Sequence, residues 1–226
     1  MGKITGALTT RAALRGAAAL SIAATMPVVT AIAAPAAAAP PSSVADRPSL
    51  ETLEQALITE KEAPEGYSLS FRFVTTSALV PAESADPCAS EVDTTDVPGG
   101  SASVAYQKGA DGPTVSESLN LIGAEAAGKA VERYRAVLER CPVTEDESAR
   151  TTVTRWSIPQ AGDDSIAVLV TTEPKDSEEG SSRVAMAVIA HGDVMASFTK
   201  VDATEQENAD LGKFIEAGVQ KLQKTW

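Results

Sequence analysis

Two cysteines, Cys88 and Cys141, are the only ones in the chain, so at most one internal covalent link can constrain whatever the rest of the sequence builds. Whether they bond depends on compartment, because the cytoplasm keeps thiols reduced and the space outside it does not. The chain opens "MGKITGALTTRAALRG", where Lys3, Arg11 and Arg15 are the only charges, and continues "AAALSIAATMPVVTAIAAPAAAAP", apolar and rich in small residues. A basic start, an apolar middle and a small-residue end are the three parts of a secretory signal. It is expected over residues 1–39, with cleavage after Ala37, Ala38 or Ala39. An uncleaved anchor is the alternative, since the stretch is long enough to span a bilayer. Ala, Thr and Pro27 make it only weakly apolar, and its end is built from the residues signal peptidase prefers. No cysteine lies near the boundary and Arg11 and Arg15 do not form a twin-arginine pair, so the expected product is secreted or cell-surface associated and not a lipoprotein.

Export makes a Cys88–Cys141 bond the expected fate of the pair. Closing a loop of about fifty residues contributes roughly 4 kcal/mol in the chain-entropy model. A redox-active pair would call for C-x-x-C spacing or a surrounding cluster of cations, and neither is present. Zinc would need four ligands, and His191 is the single histidine. No metal or cofactor is therefore expected.

Charge bounds the partners. The formal net charge of −12 becomes −15 once the three leader cations are removed, and an acidic protein is repelled by nucleic acid and by anionic membrane surfaces. The acidic stretches "TEDESA" and "EPKDSEEG" read as solvated loops, without the alternating Asp/Asn and Gly pattern of a calcium loop. Residues 40–49 form a Pro/Ser/Ala linker, leaving about 177 residues, 50–226, for one domain with its own core.

Three helices are marked by period. Leu50, Leu53 and Leu57 define the first, which ends before "APEGY". The second carries Ala127, Ala130, Val131, Tyr134, Val137, Leu138 and Cys141 at spacings of three and four, and Pro142 stops it. Cys141 thus sits where the apolar stripe ends, so a bond to Cys88 would fasten that end to the loop "SADPCAS". The third carries Leu211, Phe214, Ile215, Gly218, Val219 and Leu222, with Trp226 one step further along the stripe and expected to pack.

Between the helices the period changes to two. "YSLSFRFVT" alternates as a half-buried strand, while "SASVAYQK" and "TVSESLNLI" flank "GADGP" as a hairpin. After the second helix come "RTTVTRWSI", "SIAVLVTT", "SRVAMAVIA" and "DVMASFTKV", with His191 and Gly192 in the turn between the last two. Ile166 to Val170 is apolar on both faces and is expected inside a sheet. The order α-βββ-α-ββββ-α predicts an α+β fold, a mainly antiparallel sheet of about six to seven strands packed by three helices.

This order of elements, the cysteine ending "RYRAVLERCP" and the late hairpin "RVAMAVIAHGDVMASFTKV" resemble the actinobacterial extracytoplasmic sensor-like domain family, the PknH-like extracellular domains. The resemblance spans Leu50 to Leu222. It implies a helix-decorated antiparallel sheet with a cleft for an unidentified extracellular ligand, here in a standalone secreted member. The family's ectodomain has two disulfides where this chain has cysteines for one, and a kinase domain ahead of the export segment is not expected. Binding is carried over as an expectation, and signalling is not.

No G-x-S-x-G, H-E-x-x-H, phosphate-cradling loop or dinucleotide fingerprint is present, and a triad would have to use His191 in an apparent turn. Two Trp and three Tyr supply little for a glycosidase platform. No catalytic residue is assigned. The candidate ligand contacts are Arg155 and Trp156, which as neighbours on a strand point to opposite faces, and Tyr106. The expected role is a non-catalytic ligand-binding or sensor-like domain for a small molecule or cell-envelope component, with a protein-interaction module and a secreted hydrolase as alternatives.

Overall fold

The computed structural model of the protein describes residues 48–81, 88, 94–175, 180–201 and 208–226. The expected signal and most of the linker, residues 1–47, lie outside the described residues, as does the loop "SADPCAS" apart from Cys88. In chain order the elements are α1 (Leu50–Ala56), β1 (Tyr67–Pro81), β2 (Thr94–Lys108), β3 (Thr114–Leu121), α2 (Ala124–Arg140), β4 (Val143–Glu145), β5 (Ala149–Arg155), β6 (Asp164–Pro174), β7 (Ser182–His191), β8 (Val194–Val201) and α3 (Asn208–Thr225).

The strands form one sheet in the order β1-β2-β3-β8-β7-β6-β5-β4, and every pairing is antiparallel. The α+β class is as expected, with eight strands rather than six to seven. The additional strand, β4, overlaps the start of the acidic stretch read as a loop. Its three residues pair with β5, and the Asp146 carboxylate then holds the turn by accepting from the Ser148 and Ala149 N–H groups at 2.7 and 2.9 Å. β1 and β2 also run further than the alternation indicated. Their ladder continues through Ser77–Pro81 and Thr94–Pro98, past a register shift between Thr75 and Ser77. Such an irregularity lets a strand absorb Pro98, Gly99 and Gly100, residues that read as breakers.

The strand order fixes where the helices lie. The chain builds β1–β3 at one end, leaves through α2, restarts at the far edge with β4 and returns by hairpins until β8 pairs with β3. α2 must therefore cross one face over β8 to β5. It does so through Ala127, Ala130 and Val131, packed on Ile166, Val168, Val188, Ala190 and Met195. α1 and α3 cover the opposite face, with Leu53, Leu57, Leu211, Phe214 and Leu222 in one cluster with Val104, Leu119, Ile189 and Phe198. Alternation sends Ala167 to that face and Ile166 and Val168 to the other, so β6 is apolar on both sides. It lies inside the sheet between β5 and β7, as its composition requires.

Capping of α2 comes from a distance. Its N-cap Gly123, at φ 90, has no side chain to offer. Asp193 of the β7–β8 turn substitutes: its Oδ1 accepts from the Ala124 N–H at 3.0 Å, and its carbonyl accepts from the Ile122 and Gly123 N–H groups at 3.1 and 3.0 Å. The turn itself is Gly192–Asp193, and His191 closes β7 instead of occupying it. At the other end of α2, Cys141 is 4% exposed and is bonded to Cys88 with Cα atoms 5.5 Å apart. Trp226 departs from expectation: α3 ends at Thr225, beyond the last buried residue Leu222, and Trp226 is 41% exposed.

Candidate functional site

Because α2 covers only the β8–β5 half of its face, the same face of β1, β2 and β3 is left without a helix, and its side chains change character there. The register places Phe73, Ser103, Ser118, Ser197 and Val188 in one row across the strands. The adjacent row runs Thr75, Ser101, Asn120, Met195 and Ala190. Each row is small and polar in its middle and becomes apolar where α2 sits on it. Serine in place of a larger residue leaves volume above the sheet, and the result is a cleft of about 500 Å³.

The long β1–β2 hairpin contributes Phe73, Thr75, Ser77 and Asp96 to its walls, and α2 contributes Tyr134, with Met186 and Thr199 at the foot of the helix side. The Ser103 and Ser118 hydroxyls are hydrogen-bonded to each other at 2.7 Å, and the Asn120 amide donates to Ser118 Oγ at 3.5 Å. Burial raises the Tyr134 phenol above its ordinary value. The Cys88–Cys141 bond joins the segment connecting β1 to β2 with the end of α2, so the elements that supply the two walls are covalently tied.

The residues singled out from sequence lie elsewhere. Tyr106 is buried on the α1/α3 face, where its hydroxyl donates to the Ile58 carbonyl at 2.7 Å and burial pushes it up to about 12. Arg155 and Trp156 do meet at a concavity, a separate polar depression of about 380 Å³ shared with Arg135, Gln160 and Asp164. Trp156 packs against the main core cluster, and its backbone N–H donates to the Ala167 carbonyl at 2.9 Å. Arg135 is already bound to both oxygens of Asp164 and, at 2.6 Å, to Glu132, which holds Asp164 below its usual range. The Nδ1 of His191 is buried without a hydrogen-bond partner among the described residues. Among those residues no three His, Cys, Asp or Glu side chains converge on a metal position, and no helix is long and apolar enough to cross a membrane.

A second polar centre, on the α1/α3 face, was not anticipated. Glu117 is enclosed, with Oε2 accepting from the Ile58 N–H at 2.8 Å and Oε1 without a hydrogen-bond partner among the described residues. Burial pushes it up to about 8 against the hydrogen bond from Ile58. The Ile58 carbonyl also accepts from Arg72 at 3.1 Å, and Lys221 donates to the Leu57 carbonyl at 2.6 Å and to Glu62 at 2.8 Å. These side chains satisfy the backbone where α1 ends.

A scan of protein-family models finds no match, and no curated protein matches. Among solved structures the chain is similar to the crystal structure of the extracellular domain of PknH from Mycobacterium tuberculosis. Identity is 13%, the match covers 77% of this chain and 98% of that one, and the TM-score is 0.47. At that level the likeness assigns neither a family nor a function.

Proposed function

We propose that the protein is an extracytoplasmic, non-catalytic ligand-binding domain whose site is the cleft between the β1–β2 hairpin and α2. One observation supports this above the others: a hydroxyl and amide floor, Ser101, Ser103, Ser118, Asn120 and Ser197, on a face that β6 and β7 make apolar beneath α2. Ser101, Ser103 and Asn120 are buried at the bottom of this concavity, so their hydrogen-bonding capacity faces the cleft and not open solvent. The volume lies in the range of small-molecule sites. Secretion after cleavage between residues 37 and 40 belongs to the same reading and rests on the leader sequence.

A protein partner is the second reading, favoured by Leu69, Phe71 and Phe73, all exposed on the edge strand β1. The two readings separate in a thermal-shift panel of soluble glycans, micellar lipids and peptides, since a ligand that binds only the folded state raises its stability by mass action. The cleft reading predicts stabilising compounds whose effect disappears in Ser118→Leu, which fills the floor, and survives in Arg155→Ala. Stabilisation that ignores Ser118→Leu and is lost in Arg155→Ala would move the site to the second depression. Loss in Phe71→Ser alone would favour the edge strand.

A further inference from the structure

Resting on the cleft reading, we propose that the ligand is uncharged and hydroxyl-rich with one apolar face, the chemistry of a neutral saccharide. Charge gives the first constraint. Asp96 is the only ionisable acid or base of Asp, Glu, Lys, Arg or His type among the described lining residues, and the chain as a whole carries −12. A phosphate or carboxylate entering the cleft would leave water without finding a cation and would meet a like charge.

Hydrogen bonding gives the second constraint. Serine and threonine hydroxyls both donate and accept, and the Asn120 amide does the same through its two ends. Saccharide hydroxyls are bifunctional in the same way, so floor and ligand satisfy one another by rotating. A wholly apolar ligand would seal off Ser101 and Asn120, already only 8% and 6% exposed, and leave their remaining capacity unmet. The walls complete the match. Phe73, 48% exposed, lies at one end of the serine row, and Tyr134 lies on the α2 side. Phe73, its ring stacked on Phe71 at 5.9 Å, and Tyr134 bring aromatic rings, which suit the C–H side of a sugar ring, and the Asp96 carboxylate at the hairpin is an acceptor for its hydroxyls.

The test is a titration of isotope-labelled full-length mature protein with maltose, trehalose, glucuronate and monodecanoylglycerol, followed through backbone amide signals. Maltose or trehalose is expected to shift amides of residues 101–103, 118–120 and 197–199, with glucuronate at least about tenfold weaker. Asn120→Leu is expected to weaken the sugar about tenfold, and Ser197→Val serves the same purpose if the first variant does not fold. Stronger shifts of these amides by glucuronate or monodecanoylglycerol would overturn the saccharide assignment while leaving the cleft as the site. If all four probes leave these amides unmoved, the saccharide assignment is overturned as well; the cleft itself falls only if compounds from the thermal panel ignore Ser118→Leu.

Discussion

Glu117 stands in the apolar phase of β3. Val115, Leu119 and Leu121 share its face, and its position opposite Phe198 encloses it beneath α3. Gly218 of α3 passes so close that a Cβ there would lie 2.9 Å from Oε1 and 2.5 Å from the Phe198 ring. The carboxyl has Lys221, Arg72 and Glu62 as its charged neighbours, and burial outweighs them, raising it from 4.5 to about 8. A raised value means that the folded protein holds a proton that the unfolded chain releases. The stability from this group is therefore complete below about 4.5 and declines as pH rises through about 8. Asp164 and Asp210, held low by Arg135 and Lys108, act in the opposite sense, and their stabilisation is lost only as the solution becomes strongly acidic. The thermal midpoint is expected to fall between pH 5 and pH 8, and Glu117→Gln, which still accepts from the Ile58 N–H, is expected to flatten that fall. An unchanged slope in the variant would show that Glu117 is ionised throughout.

At the scale of elements, what the sequence made legible follows from periodicity, and what it concealed follows from partners distant in the chain. The stripe of α2 and the two-sided apolarity of β6 require no knowledge of topology, and both are observed. "TVSESLNLI" likewise separates Glu117 from Ser116, Ser118 and Asn120, yet alternation cannot say whether the polar set meets open water or a cleft. That depends on the path of α2, which follows from β8 pairing with β3. β4 escaped notice because three residues carry too little pattern, and the outer part of the β1–β2 ladder escaped because its Pro and Gly residues signal a turn. That outer ladder, Ser77–Pro81 with Thr94–Pro98, stands beyond the β3 pairing and is secured at its end by Cys88–Cys141. Removing the link by Cys88→Ala with Cys141→Ala is expected to cost about 2–5 kcal/mol of stability. The lowered thermal midpoint should be accompanied by faster amide exchange in residues 77–81 and 94–98. An unchanged midpoint would mean that the bond does not constrain the hairpin.

For the whole molecule, the cleft follows from the arrangement of the helices. Two helices protect one face of the sheet from β1 to β7, whereas a single crossover helix protects half of the other, and the unprotected half carries small hydroxyl residues between a hairpin wall and a helix wall. A chain with this strand order and apolar residues at Ser101, Ser103, Ser118 and Ser197 would present a hydrophobic surface; this one presents a polar floor with apolar flanks, the makeup of a small-ligand site. Hydrogen–deuterium exchange of the mature protein, with and without the strongest stabiliser from the thermal-shift panel, tests this most directly. Protection is predicted in residues 73–77, 101–103, 118–120 and 195–199, on both sides of the cleft. Protection confined to residues 155–165, around the Arg155 depression, would contradict it.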